Sequence, residues 1–156
     1  MQQIAKTKYY TLAVDTLKNR LYSSKAGFWD AAIDRGQFLH DLEQALRQVS
    51  EGFTMLSDLA QLQVMSPEWV KTVIATQKRF TDAGCFGKAL IFPDTMVATL
   101  QAKRILQSSG MRKKTFPSQD AAEAWLDALP NPPERAVRWR ESGPKEELAY
   151  APPGRG

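Results

Sequence analysis

Short runs of β-forming residues alternate with stretches of helical periodicity along most of this 156-residue chain. Two such runs come first, KYYTLAVDT and RLYSSKAGFW, and because Asn19 between them suits a tight turn they predict an antiparallel hairpin. Three more runs follow, FTMLSDLAQL, FGKALIF and MRKKTF, each after a helical pattern. Strands that alternate with helices pair in parallel through right-handed crossovers. We therefore predict an α/β fold in which the hairpin is followed by αβ units that form a mostly parallel five-stranded sheet.

Four helices are predicted from apolar residues spaced three and four positions apart. The first has five apolar residues on one face, namely Phe38, Leu42, Ala45, Leu46 and Val49. Gly52 is predicted to end it. The segments SPEWVKTVIATQKRFTDAG, DTMVATLQAKRILQSSG and SQDAAEAWLDAL predict the other three. Their predicted N-terminal caps are Ser66, Asp94 or Thr95, and Ser118, and the first two are predicted to end at Gly84 and Gly110.

The composition, 43% hydrophobic and 24% charged, is that of an ordinary soluble domain. No apolar run approaches the roughly 20 residues of a membrane span, and MQQIAKTKYY lacks the apolar stretch of a signal peptide, so a cytoplasmic location is expected. With one cysteine, Cys85, and one histidine, His40, we expect a buried thiol, a surface histidine, no metal site and no cofactor. The formal charge of +4 is spread along the chain. Its densest cluster, RKK at 112–114, lacks the interleaved aromatic residues of a base-stacking platform, so nucleic-acid binding is not expected.

The composition changes after Leu129. The segment PNPPERAVRWRESGPKEELAYAPPGRG contains six of the nine prolines and has no sustained apolar stripe. We therefore predict a folded α/β domain over residues 1–129 and a largely disordered, proline-rich tail over residues 130–156. Within the tail, AVRWR is the exception, because Trp139 is costly to leave wholly exposed and favours docking against the domain.

Signatures of common enzymes are missing from the sequence, which has no GxGxxG, GxxxxGK[ST], GxSxG or HExxH. Asp58 is the most notable carboxylate, because it lies near the carboxyl end of a predicted central strand, where open α/β sheets bind ligands. No accompanying acid, nucleophile or phosphate loop supports a general base there. We predict that Asp58 accepts hydrogen bonds from nearby backbone amides, and we do not predict an enzyme.

The segment QVMSPEW joins the third predicted strand to the second helix. Ser66 is suited to cap the helix, Pro67 to be its first residue, and Glu68 to favour the helix dipole. The same geometry places Met65, Ser66, Glu68 and Trp69 at the ligand-facing edge of the sheet. For Trp69 there are two interpretations, packing in the core or display of the ring to a partner.

The stretch MLSDLAQLQVMSPEWV resembles the motif region of STAS domains, the family of anti-sigma-factor antagonists and sulfate-transporter regulatory domains. Five residues fit the family pattern in order, namely Asp58, Leu59, Leu62, Val64 and Met65. The segments AGCFGKALIFPD, LQSSG and TFPSQDAAEAWL resemble later elements of the family, so the resemblance covers about residues 8 to 129. It implies a single-wound, SpoIIAA-like architecture with helices mainly on one side of the sheet.

One departure from the STAS pattern affects function. The family has Asp-Ser-x-Gly where this chain has Ser66-Pro67-Glu68-Trp69. Proline takes the place of the phosphorylated serine, so the phosphorylation switch is altered or lost, and Ser66 is the candidate acceptor one position earlier.

The resemblance implies a non-enzymatic, bacterial signal-transduction module that binds a regulatory protein, with Asp58, Met65, Ser66, Glu68 and Trp69 as candidate contacts. Two alternatives stay open. The first is a sensor of an apolar ligand or lipid, held by Met65, Trp69 and Phe92 between sheet and helix. The second is a small enzyme of unknown reaction.

Overall fold

A mixed six-stranded sheet organises the chain in the computed structural model, which describes residues 1–107 and 112–142. The strands lie side by side in chain order as β1 (Gln2–Lys6), β2 (Tyr10–Asp15), β3 (Arg20–Trp29), β4 (Thr54–Met65), β5 (Gly87–Ile91) and β6 (Lys113–Thr115). The β1–β2 and β2–β3 pairs are antiparallel, and the three pairs from β3 to β6 are parallel. The α/β class and the β2–β3 hairpin are therefore confirmed. The strand count of five was wrong, because β1 also pairs with the hairpin.

Five helices are present in the described residues instead of the four expected. They are α1 (Arg35–Arg47), α2 (Pro67–Ala83), α3 (Met96–Gln107), α4 (Gln119–Asp127) and α5 (Pro132–Ser142). Apolar residues of α1, α2 and α3 share one core with β2, β3 and β4, whereas Ala122 and Leu126 of α4 pack on the opposite face of the sheet against Leu56 and Ala89. Three helices thus cover one face and α4 covers part of the other.

Local signals set most helix boundaries. The hydroxyl of Ser66 accepts the amide hydrogen bond of Trp69 (3.3 Å), that of Ser118 accepts the amide hydrogen bond of Ala121 (3.2 Å), and Gly84 ends α2 with φ of 104°. Helix α1 ends at Arg47, before the predicted stop at Gly52. Gly110, the predicted end of α3, lies outside the described residues.

Helix α5 occupies residues for which the sequence predicts a disordered tail. Arg135, only 3% exposed, anchors it by donating hydrogen bonds to the carbonyl oxygens of Gly52 (2.9 Å), Lys18 (2.7 Å) and Pro130 (2.8 Å). Its prolines lie in the first turn, where a missing amide hydrogen is harmless, so they begin a helix instead of preventing one. The AVRWR segment therefore docks as part of α5. The rest of the predicted tail, 143–156, lies outside the described residues.

The helix also explains why residue 52 is a glycine. Gly52 has φ of 86°, a left-handed conformation that side chains disfavour. A Cβ atom at this position would lie 2.5 Å from the backbone nitrogen of Ala136, so only glycine allows α5 to approach this closely. None of the helices in the described residues is long and apolar enough to cross a membrane.

Candidate functional site

The QVMSPEW segment forms the link between β4 and α2, at the carboxyl end of the parallel strands. The backbone N–H of Ser66 donates to the carbonyl oxygen of Trp29 (2.7 Å), while the Ser66 hydroxyl caps α2. Ser66 is half-buried, and Pro67 and Glu68 are exposed. Of the predicted partner-binding residues, Ser66 and Glu68 are therefore at the surface of this edge.

Trp69 packs inward, which settles its two interpretations in favour of the core. It is 3% exposed, its ring lies edge-on to Trp29 and Phe38 at centroid distances of 4.8 and 5.5 Å, and its indole N–H donates to the carbonyl oxygen of Asp30 (2.8 Å). Met65 is also buried, at 2% exposed. Both side chains belong to the core that lies below this edge of the sheet.

Asp58 lies on the other face of the sheet. It shares a face with Leu56, which packs against α4, because residues two apart on a strand point the same way. Its carboxylate accepts hydrogen bonds from the backbone N–H of Ala60 (2.9 Å) and the side-chain amide of Gln119 (2.7 Å). The predicted backbone hydrogen bond is confirmed. Asp58 also lines an open groove of about 480 Å³ beside α4, away from Ser66 and Glu68.

An ion-pair cluster next to this groove attaches α4 to the beginning of β3. The guanidinium of Arg20, whose side chain is 2% exposed, contacts the carboxylates of Glu123 (2.5 Å) and Asp127 (2.7 Å). Lys18 and Tyr22 also donate to Glu123. Burial opposes ionisation of Glu123, but hydrogen bonds from the three donors outweigh burial and lower the pKa. The hydrogen bond from Arg20 is the main cause of the lowered pKa of Asp127. The cluster satisfies its own charges and is structural.

Five exposed apolar side chains lie near the carboxyl end of the strands, and they were not predicted from the sequence. These side chains and their exposed fractions are Phe28 (57%), Val64 (36%), Met96 (79%), Val97 (55%) and Leu100 (60%), and we call them the apolar edge. The sequence signal is in α3, where residues 96, 97 and 100 are apolar although the buried stripe runs through Ala98, Ala102, Ile105 and Leu106.

Two contacts connect the elements that carry the apolar edge. Trp29, the last residue of β3, pairs with Met65, the last residue of β4, and both belong to the core shared with α1, α2 and α3. Phe28 and Val64 just before them therefore point to the opposite face of the sheet. The Gln101 side chain then joins α3 to β4, because its amide donates to the carbonyl oxygen of Met65 and its oxygen accepts from the Met65 N–H, both at 3.0 Å.

The charge beside the apolar edge is basic. Lys103 and Arg104 are exposed on α3, three and four residues after Leu100, and α3 contains no acidic residue. Residues at these spacings share one side of a helix. The exposed side of α3 is therefore apolar at its beginning and positively charged further along.

The remaining candidate residues have simple environments. His40 is exposed on α1 and lies 3.1 Å from the Gln44 amide, as expected for a surface histidine. Cys85 is buried, and burial raises the pKa of its thiol to about 12. Within residues 1–107 and 112–142, no group of three or more His, Cys, Asp or Glu side chains could hold a metal ion.

The space between the sheet and α2 and α3 bears on the sensor interpretation. A cavity of about 20 Å³ lies there, lined in part by Met65, but neither Trp69 nor Phe92 lines it. Drug-sized ligands occupy pockets of roughly 300 Å³ or more. An apolar ligand or lipid would therefore require this part of the core to open.

Comparisons with known proteins found no matching family model, no matching curated protein and no matching solved structure. The resemblance to STAS domains therefore rests on the sequence motifs alone.

Proposed function

We propose that this chain is a non-enzymatic regulatory module that binds a partner protein through the apolar edge. The observation that supports the proposal is that five apolar side chains on β3, β4 and α3 are exposed near one end of the sheet. Burying a large apolar side chain contributes roughly 1.5 to 3 kcal/mol relative to leaving it in water. Such a group of apolar side chains is typical of interaction surfaces.

The charges around the apolar edge indicate the chemistry of the partner. Lys103 and Arg104 extend the exposed side of α3 with positive charge. Charges at the rim of an interface act mainly on specificity and association rate. The complementary partner is a protein with an apolar contact surface and acidic residues at the side that meets Lys103 and Arg104.

Phosphorylation of Ser66 is a separate part of the proposal. Its hydroxyl lies at the N-terminus of α2, where a phosphate would be electrostatically favourable. The added charge, about −1.5 to −2 near neutral pH, would lie next to Glu68 and repel an acidic partner. Phosphopeptide mapping tests this, and a Ser66 that is unmodified under all growth conditions of the source cells would contradict it.

The binding test compares an altered edge with a matched surface control. Val97→Asp combined with Leu100→Asp places two charges in the apolar edge, whereas Leu17→Asp changes a 91% exposed residue in the β2–β3 turn, at the other end of the sheet. A partner captured from source cells is purified, and its Kd is measured against each variant. We expect the edge variant to weaken binding at least 100-fold and Leu17→Asp to leave it unchanged.

Three outcomes would overturn the proposal. Equal Kd values for the edge variant and the control would place the interface elsewhere. Loss of binding on truncation after Ser142 with the edge variant unaffected would assign binding to the tail. Sedimentation with anionic lipid vesicles that depends on Leu100, with no protein partner, would make the apolar edge a membrane contact.

A further inference from the structure

The cavity between the sheet and helices α2 and α3 has polar residues in an apolar surrounding. Its polar lining residues are Lys25, Ser57, Gln77 and Lys88, and none of its lining residues is acidic. A volume of about 20 Å³ suits one water molecule or one monatomic ion. The cavity is therefore small but chemically distinctive.

Lys88 reaches the cavity from β5. It is 4% exposed, its amino group donates to the side-chain oxygen of Gln77 (2.8 Å), and it lies 5.4 Å from the centre of the Phe80 ring. Burial, followed by the charge of Lys25, lowers the pKa of Lys88 to about 7. Lys25 and Lys88 line the same cavity, and the charge of Lys25 adds to the lowering of the Lys88 pKa.

Lys25 reaches the cavity from β3. Lys25 is only partly buried, and its amino group lies 5.8 Å from the ring centres of both Trp29 and Phe38. Within the part of the chain that the structure describes, this amino group has no hydrogen-bond acceptor. Burial lowers its pKa to about 8.

Among the described residues that line the cavity, none provides a counter-charge. Lys113, on β6, donates to the carbonyl oxygen of Leu106, and its charge adds to the lowering of the Lys88 pKa. The Cys85 thiol is kept uncharged by burial. On the α1 side, the carboxylate of Asp41 accepts from the Tyr10 hydroxyl (2.8 Å) and does not line the cavity.

We propose that this cavity binds a single monatomic anion of chloride size, held between the amino groups of Lys25 and Lys88. Buried charges in proteins are normally paired, and because none of the described residues that line the cavity is acidic, an added anion would supply the opposite sign. The Ser57 hydroxyl lies 3.0 Å from that of Ser23, so when Ser23 donates to Ser57 the Ser57 O–H is left to donate to the anion. This site lies in the core and does not depend on the proposed partner-binding surface.

The first test measures thermal unfolding at pH 6.5 with chloride, bromide or gluconate at constant ionic strength. Chloride and bromide should raise the Tm saturably, and gluconate, which is too large for the cavity, should not. At ten times the Kd the folding equilibrium constant should rise about tenfold. The effect should be smaller at pH 9, where both amino groups have lost most of their protons.

A second test uses lysine variants and a bromide-soaked crystal to locate the anion site. Lys25→Met and Lys88→Met should abolish the halide effect, while Lys71→Met, which alters an exposed lysine of α2, should retain it. Anomalous scattering from a bromide-soaked crystal of the unaltered chain should show a peak between Lys25 and Lys88, and this result does not depend on whether a variant folds. Identical Tm values in chloride and gluconate, or a water molecule in the cavity without an anomalous peak, would overturn the proposal.

Discussion

Replacing Trp69 tests whether the start of α2 belongs to the core. The indole is 3% exposed, packs edge-on against Trp29 and Phe38, and donates its N–H to the carbonyl oxygen of Asp30. Trp69→Ala removes the ring contacts and the hydrogen bond. Trp69→Phe retains an aromatic ring but loses the donor and part of the volume.

The expected decreases in the free energy of unfolding follow from these contacts. Truncation of a buried tryptophan to alanine costs about 3 to 5 kcal/mol, a large fraction of the roughly 5 to 15 kcal/mol by which domains are stable. Trp69→Phe should cost about 1 to 3 kcal/mol, because a buried carbonyl loses its donor and a smaller void remains. A surface tryptophan would cost less than about 0.5 kcal/mol.

Urea unfolding followed by far-UV circular dichroism measures the loss without relying on tryptophan fluorescence. Val97→Ala, at a residue that is 55% exposed, is the control and should change the free energy of unfolding by less than about 0.5 kcal/mol. A Trp69→Ala loss below about 1 kcal/mol would refute burial of the ring. In that case Trp69 would again be a candidate for direct partner contact.

Three further predictions concern buried charge and close backbone contact. Lys88→Met should raise the free energy of unfolding at pH 6 and flatten its rise between pH 7 and pH 10. The reason is that the native pKa of Lys88 is about 7, so between these pH values the unfolded chain binds more protons than the folded chain. Urea unfolding at several pH values checks this. Arg20→Met should lower the free energy of unfolding by about 2 to 4 kcal/mol at pH 7 and by less at pH 2. The pKa values of Glu123 and Asp127 are lowered in the folded chain, so these carboxylates contribute stability that is lost as acid protonates them. A loss that is independent of pH would contradict the pairing. Gly52→Ala should cost about 1 to 3 kcal/mol and speed hydrogen exchange in α5, whereas unchanged exchange would show that α5 does not pack on this glycine.

The parts of the fold that were predictable are those set by neighbours in the chain. Ser66, Pro67 and Gly84 define the two ends of α2 through capping and backbone geometry, and α2 begins and ends where they predict. The β2–β3 hairpin follows likewise from alternating residues and a turn at Asn19, whose φ is 50°. Such signals act over a few residues and can be seen in a single sequence.

The parts that were missed depend on distant contacts. β1 is short and mostly exposed, so its pairing with β2 has little sequence signal. Helix α5 is held by Arg135, whose acceptors include carbonyl groups at residues 18 and 52. A proline-rich, charged segment gives no indication of such an anchor.

The candidate site was predictable in place but not in composition. The carboxyl edge was anticipated from QVMSPEW, yet Trp69 and Met65 lie beneath it while α3 supplies most of its exposed apolar surface. Lys88 left a visible signal, because it shares a face with Leu90 in a strand that is buried on both faces. A lysine in such a strand has to point into the core.

The Kd of a purified partner for the Val97→Asp, Leu100→Asp chain, compared with that for Leu17→Asp, tests the central claim most directly. Our account predicts at least a 100-fold loss for the edge variant, with the control equal to the unaltered chain, and circular dichroism should show that both variants are folded. Equal affinities of the two folded variants would contradict the claim that the apolar edge is the partner-binding surface.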